Sequence, residues 1–303
     1  MNGCIPNGYD GPDPGSTHDL SPLLSRETGS RELYLKSVAS WFRQEQIINP
    51  TLEKLEAEGS RIWAFKGFDL ARSVYPFPGG RQMCDADFMV EESHLQHVIS
   101  IFRAEGWEIR TPGIGVFNSG IVSELKMHRM GSGAEIHTHI FYFPGTFPGR
   151  LPPDLYNEGR LLEPGLMGFA WHNALLLCLI HMLTHTDLRP AWWVDICLLC
   201  AKVTEADSWK RFAGNAWGTC LGRPLASLLS TATTSLGAPV RPEVISMLES
   251  DRRGRDGIIE KLKTQSKVPT LLNLLHMTGW KRVSWFFPIL WLALTGQHPL
   301  RRN

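Results

Sequence analysis

The stretch Cys84-Asp85-Ala86-Asp87-Phe88-Met89-Val90, which follows Trp63-Ala64-Phe65-Lys66-Gly67 after a short spacer, decides how this chain is read. In an extended strand the side chains at i and i+2 share a face. Asp85 and Asp87 then project together, while Ala86 and Phe88 turn into a core. Two carboxylates a few ångströms apart repel by roughly 1 kcal/mol in water and by several in a lower dielectric. A divalent cation between them removes that penalty, and Mg²⁺ prefers carboxylate oxygens together with substrate phosphates. The pair therefore suggests metal-assisted phosphate chemistry, although an isolated Asp-x-Asp also fits a solvated edge strand.

Working outward, Arg61 to Gly67 reads as a short apolar strand entering a turn, and Phe68 to Tyr75 as a helix. A Pro/Gly loop at 76–80 leads into the Asp85/Asp87 strand. A helix over Glu92–Glu105, closed by Gly106, comes next. Trp107–Arg110, Val116–Asn118, Glu124–Met130 and Glu135–Phe143 then read as β-like stretches. In the last of these, strand parity puts His137 and His139 on the Glu135 face. Ahead of this block, apolar residues from Leu33 to Leu55 recur at helical spacing until Gly59.

The expected fold class is α+β: a mixed β-sheet with flanking helices, followed by a mostly helical C-terminal domain. Residues 1–30, rich in Gly, Pro, Ser and Asp, read as a disordered leader, and 31–145 as the α/β domain. Residues 146–165 read as a Pro/Gly linker and 166–303 as the helical domain. Its strongest helices are Trp171–His185 and Ala191–Lys202, with weaker ones near 206–218, 222–236, 241–250 and 257–265.

A formal net charge of +1 over 303 residues argues against a polynucleotide partner. The six cysteines form no compact framework, and Cys197-Leu198-Leu199-Cys200 lacks the second pair or His that a zinc site needs. A reducing cytoplasm is the simplest compartment for such a chain. The longest apolar run, Val283 to Leu294, falls short of the ~20 residues a membrane span needs and is broken by Pro288. It is expected to dock on the core, and its aromatic residues leave partner contact open.

The order Lys66-Gly67, Tyr75, Arg81, Asp85-Ala86-Asp87-Phe88-Met89-Val90 and then Glu135-Ile136-His137-Thr138-His139 resembles the nucleotidyltransferase superfamily of polymerase-β-like enzymes. More closely it resembles a bacterial family of uncharacterised nucleotidyltransferases, in which an apolar strand ends in Lys-Gly. The resemblance runs over roughly 31–205, through His181, His185, Trp193 and Asp195. It departs from the wider superfamily where most members have Gly-Ser and this chain has Lys66-Gly67.

The resemblance implies a nucleotidyltransferase-like catalytic domain and two Mg²⁺ ions, with Mn²⁺ as a substitute, held by Asp85, Asp87 and Glu135. It implies transfer of NMP from an NTP, ATP by default, to a small-molecule or peptide acceptor, with loss of pyrophosphate. Glu124 is the rival third acid. His137 would order an acceptor, bind phosphate or relay a proton, unless it is simply a neutral hydrogen-bonded neighbour. Gly67 would let the backbone approach a phosphate at a helix N-terminus, with Lys66 adding a point charge and Arg81 a fork. Lys66 salt-bridged to Asp85 or Asp87 is the other reading.

His181 and His185, at i and i+4, share a helix face but lack the Glu of a metalloprotease helix. A structural reading has His185 hydrogen-bonded near Asp195. The alternative functions are a non-catalytic nucleotide-binding scaffold and a phosphotransferase on the same fold. Against the latter, no kinase-type Gly-rich loop or His-Arg-Asp motif is present.

Overall fold

A computed structural model describes residues 31–111, 114–118, 122–141, 149–185 and 188–251. The segments read from sequence as a disordered leader, a helix near 257–265 and a docking aromatic run at 283–294 lie outside the described residues. The elements are α1 (Arg31–Ala57), β1 (Ile62–Ala64), α2 (Lys66–Ser73), β2 (Asp85–Met89), a 3₁₀ turn (Glu92–His94), α3 (Leu95–Ala104) and β3 (Glu108–Thr111). Then come α4 (Ile114–Asn118), β4 (Glu124–Arg129), β5 (Ser132–His137), β6 (Gly159–Glu163) and β7 (Leu166–Phe169). The chain continues as α5 (Trp171–Leu183), α6 (Pro190–Lys202), α7 (Ala206–Gly218), α8 (Gly222–Leu236) and α9 (Pro242–Glu249).

The strands form one mixed seven-stranded sheet in the order β3-β4-β5-β2-β1-β7-β6. The pairs β2–β5 and β1–β7 are parallel, and the neighbours β1–β2 and β4–β5 are antiparallel. Strand alternation divides the apolar side chains between two cores. Ile62, Ala64, Ala86, Phe88, Leu125, Ala134 and Ile136 pack under α1 and α3. Trp63, Phe65, Met89 and Phe169 face the opposite way, into a core built with α5 to α9. The sheet is therefore covered on both faces, and the α+β expectation holds.

Three local expectations need correction. Val116–Asn118, read as β-like, lies within the short helix α4. The last β-like stretch ends as a strand at His137, after which the chain bends. The segment read as a linker to residue 165 supplies β6 and the turn into β7, so its Pro-rich composition disguised a hairpin. That turn explains a glycine. Gly165 has φ +73°, and a Cβ there would come within 2.6 Å of the Leu52 carbonyl oxygen on α1.

Cys178, Cys197, Cys200 and Cys220 are free thiols, so Cys197 and Cys200 pack as residues of α6. Cys84 is disulfide-bonded, which the expectation of a reducing compartment did not anticipate. No helix among the described residues is long and apolar enough to cross a membrane.

Candidate active site

The polar site lies on the sheet face that looks toward the helical half, and strand register assembles it. Asp87 stands opposite Glu135 and Met89 opposite His137 in the parallel β2–β5 pair. Across the antiparallel β4–β5 pair, Lys126 faces Glu135 and Glu124 faces His137. Trp63 and Met89 continue the same face as its apolar floor. Facing residues on neighbouring strands are within contact distance, so parity alone gathers Asp85, Asp87, Glu124, Lys126, Glu135 and His137 into one patch.

Asp87, Glu135 and His137 are 6%, 8% and 3% exposed. Each offers a ligand atom within 4.8 Å of the others, a grouping able to hold a metal ion. His137 Nε2 lies 3.1 Å from Asp87 Oδ1 and 3.5 Å from Glu135 Oε2, while its Nδ1 is 4.0 Å from Glu124 Oε2. The edge of the ring packs against Phe65, with centroids 5.0 Å apart. Asp85 precedes this trio on β2 and is only half-buried.

Two lysines sit on these acids. Lys66 Nζ donates to Asp87 Oδ1 at 2.6 Å. Lys126 donates to Glu135 and lies 3.0 Å from Glu124. Lys66 is the first residue of α2 and takes φ +53°, a left-handed conformation costly for a residue with a Cβ. Strain of this kind persists where the surroundings over-determine it, often at functional sites. Here it turns the ammonium onto Asp87 and brings Gly67 into the helix's first turn, with room beside it so tight that a Cβ would meet Met83 Cγ at 3.3 Å.

The electrostatics follow from this crowding. Although part of Asp85 reaches solvent, desolvation pushes its carboxyl well above the usual range, helped by the charges of Glu135 and Asp87. Burial would also raise Glu135, but the hydrogen bond with His137 and the charge of Lys126 hold it well below. Burial and Lys66 depress the His137 imidazole, yet its hydrogen bonds to Asp87 and Glu135 prevail and raise it. Burial opposes the charge on Lys66, but Asp87 and Glu135 outweigh it and raise the ammonium. The patch is a carboxylate nest in which amines and an imidazole already stand where cations are attracted.

The remaining candidates fall elsewhere. Arg81, expected to fork onto phosphate, instead faces Asp195 of α6, with Nε 3.1 Å from both carboxylate oxygens and Nη2 3.0 Å from Oδ2. Tyr75 donates its hydroxyl to Asp195 Oδ1 at 2.7 Å. Asp195 thus receives Arg81 and Tyr75, where the sequence suggested His185. His181 and His185 pack edge-on with centroids 4.5 Å apart, each also against Trp192. Burial and the charge of Lys66 push His181 far down and His185 to about 4, so both rings are neutral near pH 7. His139 accepts from the Phe141 amide and is driven by burial to about 4. Sequence reasoning missed Lys126, whose only signal was its odd position beside Glu124 on an alternating strand.

Searches among curated proteins and among solved structures found no significant match to this chain. A family model described as an uncharacterised nucleotidyltransferase matches residues 31–237, which takes in the whole acid patch, α2 and the helices to α8. With that match over more than half of its length, the chain belongs to the uncharacterised nucleotidyltransferase family.

Proposed function

We propose that the protein transfers a nucleoside monophosphate from an NTP, ATP by default, to a hydroxyl or amine of a small-molecule or peptide acceptor, with a divalent metal, Mg²⁺ by default or Mn²⁺. The observation that carries this reading is the convergence of buried Asp87, Glu135 and His137, with Asp85 beside them, on one sheet face, where Lys66 from the start of α2 contacts Asp87. Buried carboxylates are costly unless paired with cations. The donor set fits a divalent ion: two carboxylates and an imidazole within ligand range of one another, already carrying an ammonium on Asp87.

In this reading Asp87 and Glu135 would hold the metal, with Asp85 beside them as a further ligand once ionised, since carboxylate ligands must be deprotonated. A divalent ion held there would supply charge neutralisation at the phosphates and lower the pKa of the acceptor hydroxyl. The acceptor oxygen or nitrogen bonds to the α-phosphorus and gives up its proton to solvent, the bond from that phosphorus to the bridging oxygen breaks, and pyrophosphate departs with the electron pair. Lys66 moves its charge from Asp87 toward the β- and γ-phosphates, and the first turn of α2 at Gly67 offers amides to them. Arg81 and Asp195 brace the loop ahead of β2, so phosphate contact falls to Lys66 and Gly67. Near-zero net charge favours a small or peptide acceptor over a polynucleotide.

The test is incubation with α- and γ-labelled NTPs and Mg²⁺ or Mn²⁺ in a lysate. Label passing from the α position, and lost in Asp87→Asn, is the expected result. Label passing only from the γ position makes the protein a phosphotransferase. Nucleotide binding without turnover makes it a scaffold.

A further inference from the structure

We propose that His137 is itself a metal ligand, through Nε2, and that this nitrogen makes the Asp87/Glu135/His137 position select a first-row transition ion such as Mn²⁺ over Mg²⁺. The inference deepens the reading above and rests on the same divalent site. The ring presents one nitrogen to each side of the patch. Nε2 faces the two carboxylates, 3.1 Å from Asp87 Oδ1 and 3.5 Å from Glu135 Oε2. Nδ1 faces away from them, toward Glu124 Oε2 at 4.0 Å. A ligating histidine almost always has its other nitrogen directed at a carboxylate or carbonyl, which fixes tautomer and ring orientation. Glu124, His137 and the acid pair stand in that order here.

The ring is 3% exposed and is held edge-on by Phe65 at 5.0 Å, so it has little freedom to turn away. This assigns Glu124 as a positioning residue behind His137, and Glu135 as the acid that reaches the metal. Lys126, bound to both Glu124 and Glu135, ties the two roles together. The consequence for selectivity is chemical. Mg²⁺ demands oxygen ligands in near-ideal octahedral geometry and dehydrates reluctantly. Replacing one oxygen by an imidazole favours the transition ions, which rise in nitrogen affinity along the Irving–Williams order.

The experiment uses the full chain with Mn²⁺ alone as the probe. Bound Mn²⁺ is counted by electron paramagnetic resonance, and a directly bonded nitrogen is read by pulsed detection of ¹⁴N coupling. The expected result is one nitrogen on the bound ion, replaced by the ¹⁵N pattern when histidine is isotopically labelled. His137→Gln is expected to lose that coupling and to weaken Mn²⁺ roughly 10-fold or more while changing Mg²⁺ affinity little, so that Mg²⁺ displaces Mn²⁺ more readily than from the unaltered protein; a Mn²⁺-over-Mg²⁺ preference that survives the change overturns the selectivity. Glu124→Gln keeps the nitrogen but weakens Mn²⁺ by roughly 10- to 100-fold, the usual cost of an outer-shell partner.

Mn²⁺ that binds, is lost in Asp87→Asn and shows no nitrogen overturns this inference and leaves the nucleotidyl-transfer reading standing. Failure of Mn²⁺ alone to bind also overturns this inference, while the nucleotidyl-transfer reading is decided separately by the labelled-NTP assay with Mg²⁺. The nitrogen measurement on the unaltered protein needs no variant to fold.

Discussion

Asp195→Ala tests whether the helical half holds the loop ahead of β2 in place. Asp195 and Arg81 are 4% and 9% exposed, and the carboxylate takes the guanidinium in a two-pronged contact together with the Tyr75 hydroxyl. Removing one partner of a buried ion pair costs about 3–5 kcal/mol, because the opposite charge stays in a low dielectric. The lost Tyr75 hydrogen bond adds about 1 kcal/mol. A loss of about 4–6 kcal/mol is therefore expected, or a fall in Tm of about 8–24 °C at 2–4 °C per kcal/mol for a chain of this size. Urea unfolding followed by circular dichroism reads it as a lower midpoint with an unchanged slope. Asp207→Ala is the control, since Asp207 and Lys210 form a pair 3.0 Å apart whose side chains are 87% and 74% exposed. It should cost less than about 0.5 kcal/mol. Equal costs for the two variants, or a cost below about 1 kcal/mol for Asp195→Ala, would refute the argument. The double change Asp195→Leu with Arg81→Met should recover much of the loss, because apolar replacements of both partners leave no buried charge.

Two further outcomes follow from the same geometry. Lys66→Gly and Lys66→Ala both remove the ammonium and should both raise the KM for NTP, but only glycine relaxes the φ of +53°. The glycine variant should unfold about 1 kcal/mol later than the alanine variant, and equal midpoints would show that the backbone carries no strain there. The neutral His181/His185 pair makes stability depend on acid pH. A folded-state pKa lowered to about 4 for His185, against about 6.5 unfolded, means that the unfolded chain binds more protons between those values. Stability is thus full above pH ~6.5 and declines toward pH ~4. His185→Gln should flatten that slope in urea midpoints measured from pH 7 to 4.5, and an unchanged slope would place the proton uptake elsewhere.

Much of the site was legible because strands have a period of two. Asp85 with Asp87, and Glu135 with His137, share faces whatever the tertiary arrangement, and the structure brings Asp87, Glu135 and His137 together. Register between strands is not written in either strand, so Lys126 opposite Glu135, and Glu124 opposite His137, could not be read. Contacts spanning a long chain distance were equally hidden, as with Tyr75 and Asp195, 120 residues apart. Arg81 was read as a phosphate fork because a guanidinium beside an acid pair suggests one, and only the packing of α6 reveals its carboxylate. The β6–β7 hairpin was masked by prolines, although Pro164-Gly165 is itself a turn signal, with Gly165 at the positive φ such turns need. Val116–Asn118 misled because so short a stretch cannot distinguish a strand from one helical turn.

The parallel pairing of β1 with β7 also bears on how this gene product can be dissected. Ile62, Trp63 and Ala64 have Leu166, Met167 and Gly168 as their neighbours on one side, and β7 runs directly into α5. A fragment ending at residue 165 would take the acids with it yet leave β1 with an open edge and Trp63 without its stacked partner Phe169. Such an edge is a template for intermolecular pairing. Soluble truncations and split reporters should therefore be cut beyond α5, with the strand and the helix it feeds kept on the same piece as the carboxylates.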